Sequence, residues 1–244
     1  MQRSNEKSKA LLKLSTLAML VALGVIISPI LRFEGMCPMA HLINIVCSVF
    51  LGPWYSLLCA VTIGIIRMTL LGIPPIALTG AVFGAFLSGV FYRLSKGNIL
   101  MAVLGEVIGT GIVGAILSYP VMTYFWGKEG LTPLFYVPSF VSGTLIGGSI
   151  AYVTLKKLSS NGQLSKIQNK LGSASYAHKT GVTANAAAFS AIGVIAFTAC
   201  EILEDVFKIE TSFISYTLLI ASLGAAAIYV IHFRFTEKKN DKGA

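Results

Sequence analysis

The sequence contains few charged residues. Asp, Glu, Lys and Arg make up 12% of its 244 residues, whereas hydrophobic residues make up 55%. A soluble domain carries about a quarter charged residues. Too few polar side chains are present to cover a core of this size in water, so a soluble globular protein is excluded and lipid is the expected surrounding solvent. We therefore predict an all-α integral membrane protein of the cell membrane.

Motifs for catalysis and nucleotide hydrolysis are also missing. No G-x-x-x-x-G-K-[ST] loop is present, so the chain is not expected to hydrolyse ATP itself. H-E-x-x-H and G-x-S-x-G are absent as well. The four Cys residues lack C-x-x-C spacing, which predicts buried free thiols, no disulfide framework and no metal site. We expect a protein that is not an enzyme and that carries no cofactor.

Long apolar segments divide the chain. Their runs are continuous rather than alternating, which favours helices, and about 20 residues cross the hydrocarbon core. We predict a six-helix membrane domain over residues 1–158, a basic cytoplasmic linker over 159–180, two additional transmembrane helices within 181–234, and a basic tail over 235–244. The apolar segments lie near residues 10–31, 39–52, 54–72, 75–94, 99–125, 134–155, 181–203 and 212–233.

The basic residues are distributed unevenly between the two sides of these segments. If the N-terminus is cytoplasmic, 15 of the 19 Lys and Arg residues fall on the cytoplasmic side, and only Arg32, Lys128 and Lys208 fall outside. Arg67 remains within the membrane. The positive-inside rule therefore predicts eight spans with both termini cytoplasmic. The net charge of +9 is a topology signal, so no nucleic-acid partner is expected.

Polar side chains inside the apolar segments are the first candidates for function. A charge at the bilayer centre costs about 2.5–3.5 kcal/mol, so such residues should face protein or a water-filled cavity. His41 and Asn44 lie at the outer end of the second span. Arg67 lies about five residues from the outer end of the third span, and Glu106 lies about one and a half to two turns from the inner end of the fifth. Arg67 and Glu106 should differ in depth by more than one turn, which argues against a direct ion pair between them. A shift of a few residues in the helix boundaries would close this gap.

Glu106 stands among glycines in the stretch GEVIGTG, residues 105–111, which also contains Thr110. Two interpretations remain open. The carboxyl group holds neighbouring helices together at a close glycine contact, or it forms the polar floor of a cavity.

Aromatic residues cluster at the predicted outer level. Tyr119, Tyr124 and Trp126 lie at the end of the fifth span, and Tyr136 begins the sixth. Each one alone is typical of an interfacial belt. Together with the polar residues they predict an outward-facing pocket for a small flat molecule. The predicted substrate-binding residues are His41, Asn44, Arg67, Glu106, Thr110, Tyr119, Tyr124, Trp126 and Tyr136.

Small residues recur at four-residue spacing, which lets helices approach closely in lipid. Intramolecular packing is expected for three of these stripes, and the role of the stripe Ala18/Ala22 is open. The three stripes are Gly80/Gly84/Ser88, Gly105/Gly109 and Gly143/Gly147/Ala151.

Three stretches resemble the ThiW family: AHLINIVCSVFLGPWYSLLCAVTIGIIRMTLLG (residues 40–72), LTGAVFGA (78–85) and LGEVIGTGIVGAILSYPV (104–121). The resemblance covers about residues 10–158, the six-helix part. It implies a thiazole-specific substrate-binding (S) component of an energy-coupling factor (ECF) transporter, and hydroxyethylthiazole, a thiamin precursor, as substrate. Implied partners are a membrane coupling subunit and two ATPase subunits. The resemblance also implies that Ala18 and Ala22 form the docking surface for the coupling subunit.

Several alternatives stay open beside this resemblance. An ion- or proton-coupled secondary transporter would use Glu106 and Arg67 for coupling, although no inverted repeat is detectable. A membrane-embedded enzyme would use His41 or Glu106 as acid or base. Arg67 is unusual for a neutral ligand, so it contacts Glu34 or helix-end carbonyls, or else the substrate is phosphorylated. The acidic segment 201–210 is expected to be a solvated turn.

Overall fold

The computed structural model describes residues 2–30, 32, 37–176, 182–208 and 210–240. Within these ranges the chain forms helices and no strands, so the predicted all-α class is confirmed. The helices are α1 (Gln2–Ile27), α2 (Pro38–Leu51), α3 (Pro53–Leu71), α4 (Ile76–Leu94), α5 (Ile99–Phe125), α6 (Val137–Ser160), α7 (Gln163–Leu171), α8 (Val182–Phe207) and α9 (Ser212–Asn240).

Seven helices in the described part of the chain are long and apolar enough to cross a membrane. They are α1, α3, α4, α5, α6, α8 and α9. The second predicted span corresponds to α2, which has only 14 residues. A multi-pass membrane protein follows from these lengths and compositions.

The chain divides into two compact units, Met1–His178 and Lys179–Ala244. The first unit has a core in which α1, α2, α3 and α7 meet, with Cys47 and Cys59 fully buried in it. All four Cys residues are free. Cys47 and Cys59 are therefore the small buried hydrophobes predicted from the sequence, whereas Cys37 and Cys200 are half-buried.

The turn between α2 and α3 consists of a single residue, Gly52. Its φ of +92° is a conformation that side chains with a Cβ rarely adopt, and its N–H donates to the Ser48 carbonyl at 2.9 Å. Pro53 then occupies the first position of α3, where its missing N–H costs no hydrogen bond. The two helices thus reverse direction at one point and lie side by side.

Helix α5 widens twice along its length. It is α-helical over Ile99–Glu106, π-helical over Val107–Gly114, α-helical over Ala115–Pro120 and π-helical again over Val121–Phe125. Pro120 lacks an N–H and stands directly before the second π-helical stretch. The first π-helical stretch directly follows Glu106, and π-turns occur frequently at functional sites.

The segment predicted as a linker contains a packed helix. Helix α7 buries Leu164, Gln168 and Leu171 against the first unit. The Gln168 amide donates to the Val49 carbonyl at 2.9 Å and to the Tyr92 hydroxyl at 3.0 Å. These contacts fix α7 to the end of α2 that is far from His41.

The second unit is a hairpin of α8 and α9. Instead of projecting from a solvated turn, Glu204 in the last turns of α8 caps the start of α9. Its carboxylate accepts from the Thr211 N–H at 3.3 Å and from the Ser212 hydroxyl at 2.9 Å. A carboxylate at a helix N-terminus satisfies free N–H groups and complements the helix dipole.

Candidate substrate-binding site

A pocket opens at the end of the first unit where α2 begins and α3 ends. Its cavity volume of about 40 Å³ holds about three water molecules. The lining combines two guanidinium groups, an imidazole, a hydroxyl and a phenyl ring with small aliphatic side chains. The lining residues are Arg32, Cys37, Ala40, His41, Arg67, Ile73, Ile76, Ala77, Gly80, Ala81, Thr110 and Phe140.

Glu106 lies beneath this pocket and connects three polar side chains. Its Oε1 atom is 2.9 Å from His41 Nδ1, 3.0 Å from Asn44 Nδ2 and 3.1 Å from Thr110 Oγ1. Glu106 is fully buried, and its Oε2 atom has no hydrogen-bond partner in the structure. The carboxyl group therefore joins α2 to α5 and fixes the position of two pocket-lining side chains, His41 and Thr110.

Close packing of α4 against α5 surrounds this carboxyl group with protein. A Cβ atom added at Gly84 would lie 2.8 Å from Glu106 Oε2, and one added at Gly109 would lie 2.6 Å from the Gly84 Cα atom. One added at Gly105 would lie 2.5 Å from the Leu87 carbonyl oxygen. Intramolecular packing is thus confirmed for the glycine stripes of α4 and α5. Glycine at these positions excludes lipid from the carboxyl group.

The stripe on α6 packs internally as well. A Cβ atom added at Gly147 would contact the Pro38 carbonyl oxygen, and one added at Gly143 would lie 3.3 Å from His41 Nε2. These contacts place α6 against the first turn of α2. The imidazole is therefore held between Glu106 on one side and the α6 backbone on the other.

This arrangement determines what His41 offers to a ligand. Glu106 Oε1 accepts hydrogen bonds from Asn44 and Thr110, and we assign the same acceptor role to it toward His41 Nδ1, as for an ionised carboxylate. The Nδ1 atom then carries a proton in both the neutral and the cationic ring. The Nε2 atom of the ring accepts or donates according to the protonation state of His41. The Thr110 hydroxyl donates to Glu106 and keeps its acceptor lone pairs for the pocket.

Arg67 is buried at the opposite wall, with 4% of its surface exposed. Its Nη2 atom lies 3.4 Å from Cys37 Sγ, and its Nε atom has no hydrogen-bond partner in the part of the chain that the structure describes. Within the described ranges, the ion-pair contact of Glu106 is with His41 and not with Arg67, as the depths of the two helices led us to expect. Glu34, the other partner considered for Arg67, lies outside the described residues.

The aromatic residues predicted for the site fall in different places. Tyr136 is buried and its ring centre lies 5.8 Å from that of Phe140, which lines the pocket. Burial raises the pKa of the Tyr136 phenol. Tyr124 and Trp126 are 75% and 54% exposed, and they do not line the pocket. Tyr119 is half-buried and is likewise not among the lining residues.

Phe140 and Cys37 line the pocket although neither was among the predicted site residues. Phe140 follows Tyr136 by four residues and therefore shares its face of α6, which is the signal that would have found it. Among the described residues, no group of three or more His, Cys, Asp and Glu side chains could hold a metal ion.

A second concave surface lies between α1 and α3 and is almost entirely apolar. We call it the α1–α3 groove; it encloses about 540 Å³. Ala18 and Ala22 are exposed at its base, so this stripe does not pack inside the unit as the glycine stripes do. The groove is lined by Leu14, Leu17, Ala18, Val21, Ala22, Val25, Ile26, Leu58, Thr62 and Ile66.

Comparison with known proteins identifies the family of the first unit. Residues 14–161 match the family model described as thiamine-precursor transporter protein (ThiW). No curated protein and no solved structure gives a significant match to this chain. The matched range is more than half of the chain and contains both the pocket above Glu106 and the α1–α3 groove. The chain therefore belongs to the ThiW family, and it is a membrane transport protein rather than an enzyme.

Proposed function

We propose that this chain is the substrate-capture subunit of an ECF transporter and that it binds hydroxyethylthiazole in the pocket above Glu106. The observation that carries this proposal is a small pocket, open at one end of the bundle, whose polar side chains are held by a buried carboxyl group. The 244 residues contain no phosphate-binding loop, which supports a separate ATPase module as the source of energy for uptake.

The chemistry of the pocket suits a small ring with one hydroxyl group. Phe140 supplies an aromatic face for the ring, while His41 and Thr110 supply hydrogen-bonding atoms for the hydroxyl. A cavity of about 40 Å³ favours a single small ring over a larger cargo. A few polar groups within an apolar lining give orientation and specificity.

The pocket faces the outside of the cell in this proposal. The distribution of Lys and Arg supports cytoplasmic termini. Helix α1 then runs outward and α2 returns inward, which puts the first turn of α2, with His41, on the outer side. Cargo therefore enters from the medium without crossing the hydrocarbon core.

The α1–α3 groove is the proposed docking surface for the membrane coupling subunit. Ala18 and Ala22 are exposed on it, and their small side chains allow a partner helix to approach the α1 backbone closely. A bulky residue at either position would fill the groove without reaching the pocket. Docking and substrate binding should therefore be separable by mutation.

The experiment is binding and uptake measured on the same variants. The purified chain alone should bind labelled hydroxyethylthiazole saturably, and cells should accumulate it only when the ATPase module is present. Ala18→Trp with Ala22→Trp should abolish uptake and retain binding. The matched control is Met19→Trp with Leu23→Trp, because these positions are exposed on α1 but do not line the groove.

A proton-coupled secondary transporter is the second candidate, favoured by one observation. Glu106 is a fully buried carboxyl group with a free Oε2 atom and an adjacent imidazole, and such groups form proton relays in transporters. Accumulation by the lone chain in vesicles, driven by a proton gradient, would establish this function and overturn the capture-subunit proposal. Loss of both binding and uptake in the alanine-stripe variant would refute the docking assignment.

A further inference from the structure

Arg67 is a buried cation whose positive charge no described residue neutralises. Only 4% of its surface is exposed, and its Nε atom has no hydrogen-bond partner among the described residues. Within the same ranges, its guanidinium group has one hydrogen-bond contact, with Cys37 Sγ, a weak acceptor, at 3.4 Å. A guanidinium group stays protonated in proteins, so burial cannot remove this charge by deprotonation.

The surroundings of Arg67 supply little negative charge. Arg67 lies in the last turns of α3, where the carbonyl ends of the helix provide a partial negative charge only. The carboxyl group of Glu106 lies outside the pocket lining and is in contact with His41 instead. No Asp or Glu of the described ranges lines the pocket.

A second cation faces the same cavity. Arg32 is exposed and lines the pocket together with Arg67. Two like charges at one small cavity repel each other, and an anion placed between them would remove both this repulsion and the cost of burying Arg67 unpaired. Arginine also offers two parallel N–H groups that match the oxygen atoms of a phosphate or carboxylate.

We propose that Arg67, assisted by Arg32, forms an anion subsite in this pocket, so that the preferred cargo is a small ring carrying a phosphate monoester or a carboxylate. This inference rests on the proposed function and specifies its substrate class. The ring lies against Phe140, and the anionic group lies at the guanidinium groups. The neutral alcohol binds the same pocket more weakly because it leaves Arg67 unpaired.

The test compares three probes on the purified full-length chain in detergent: hydroxyethylthiazole, its phosphate monoester and a thiazole carboxylate. We expect at least one anionic probe to bind about tenfold or more tightly than the alcohol, and the two anionic probes distinguish the two sources of negative charge. Arg67→Gln should reduce the ratio of alcohol to anion dissociation constants to near one, and Arg67→Lys should retain part of it. The matched control, Arg93→Gln, removes an exposed arginine outside the pocket lining and should leave the ratio unchanged.

The possible outcomes separate this inference from the proposed function. If the alcohol binds as tightly as both anions, or if Arg67→Gln leaves the ratio unchanged in a variant with the wild-type melting temperature, the anion subsite is refuted while cargo capture stands. If none of the three probes binds, the proposed function fails. The three probes are also compared on the Glu34→Gln variant. If this variant prefers the anionic probes while the wild-type protein does not, Glu34 neutralises Arg67 and the anion subsite is refuted.

Discussion

Replacing Glu106 with alanine tests whether this carboxyl group holds α2 and α5 together. The substitution removes the single oxygen atom that His41, Asn44 and Thr110 share. All four residues are buried, so water cannot satisfy the released donors. Asn44 keeps a bond to the Ala81 carbonyl at 3.3 Å, which reduces its loss.

The size of the effect follows from these contacts. A buried hydrogen-bonding group left without its partner costs about 1–3 kcal/mol. Three such groups at the low end of this range lower the free energy of unfolding by about 3 kcal/mol. At about 2–4 °C for each kcal/mol in a chain of this size, the apparent melting temperature should fall by about 6–12 °C. Glu106→Gln keeps an acceptor oxygen in the same place and should lose less than half as much.

The free cysteines of the core provide the assay. Cys47 and Cys59 are fully buried, so a thiol-reactive fluorophore labels them only when the first unit opens. The half-buried Cys37 and Cys200 react earlier and set the baseline. Equal melting temperatures for the alanine and glutamine variants, or a shift below about 2 °C for alanine, would refute the bridging role of Glu106.

Three further substitutions test packing at other places. Gly109→Ala brings a Cβ atom against the backbone of α4 and should lower the melting temperature strongly. The control Gly224→Ala adds a Cβ atom in open space and should leave the melting temperature unchanged or raise it. Comparable losses in the two variants would refute the close contact between α4 and α5. Gln168→Ala removes the donor that fixes α7 and should speed proteolysis within residues 163–171. An unchanged rate of cleavage would mean that apolar contacts alone hold this helix. Glu204→Ala removes the cap of α9 and should speed amide exchange at the start of that helix. Unchanged exchange would contradict the capping role.

Composition was sufficient to predict the membrane class and most of the helices, because hydrophobic run length is a property of the local sequence. The pairing of His41 with Glu106 was not predictable in the same way. It depends on the relative depth of α2 and α5 and on their rotation about their axes, both of which are set by glycine contacts between helices. Depth counted from the ends of apolar runs argued against a pair of Arg67 with Glu106, and the contact that the structure gives Glu106 is with His41.

The aromatic residues show where sequence reasoning was less informative. Tyr124, Trp126 and Tyr136 all lie near a predicted membrane boundary, and an interfacial belt and a binding pocket use the same residue types there. The direction in which each side chain faces, at the end of α5 for the exposed Tyr124 and at the start of α6 for the buried Tyr136, is not readable from residue type. Helix α7 did have a local signal, since Leu164, Ile167 and Leu171 recur at helical spacing within the polar segment.

The shortness of α2 has a consequence for how a polar molecule reaches His41. Its 14 residues rise about 21 Å, against about 30 Å for the hydrocarbon layer. Because α2 joins α3 directly at Gly52, the whole shortfall falls at the other end, where α3 continues about five residues further. The imidazole of His41 therefore lies below the end of α3 instead of level with it. We expect a solute that enters from this end to meet Arg67, in the last turns of α3, before it reaches His41.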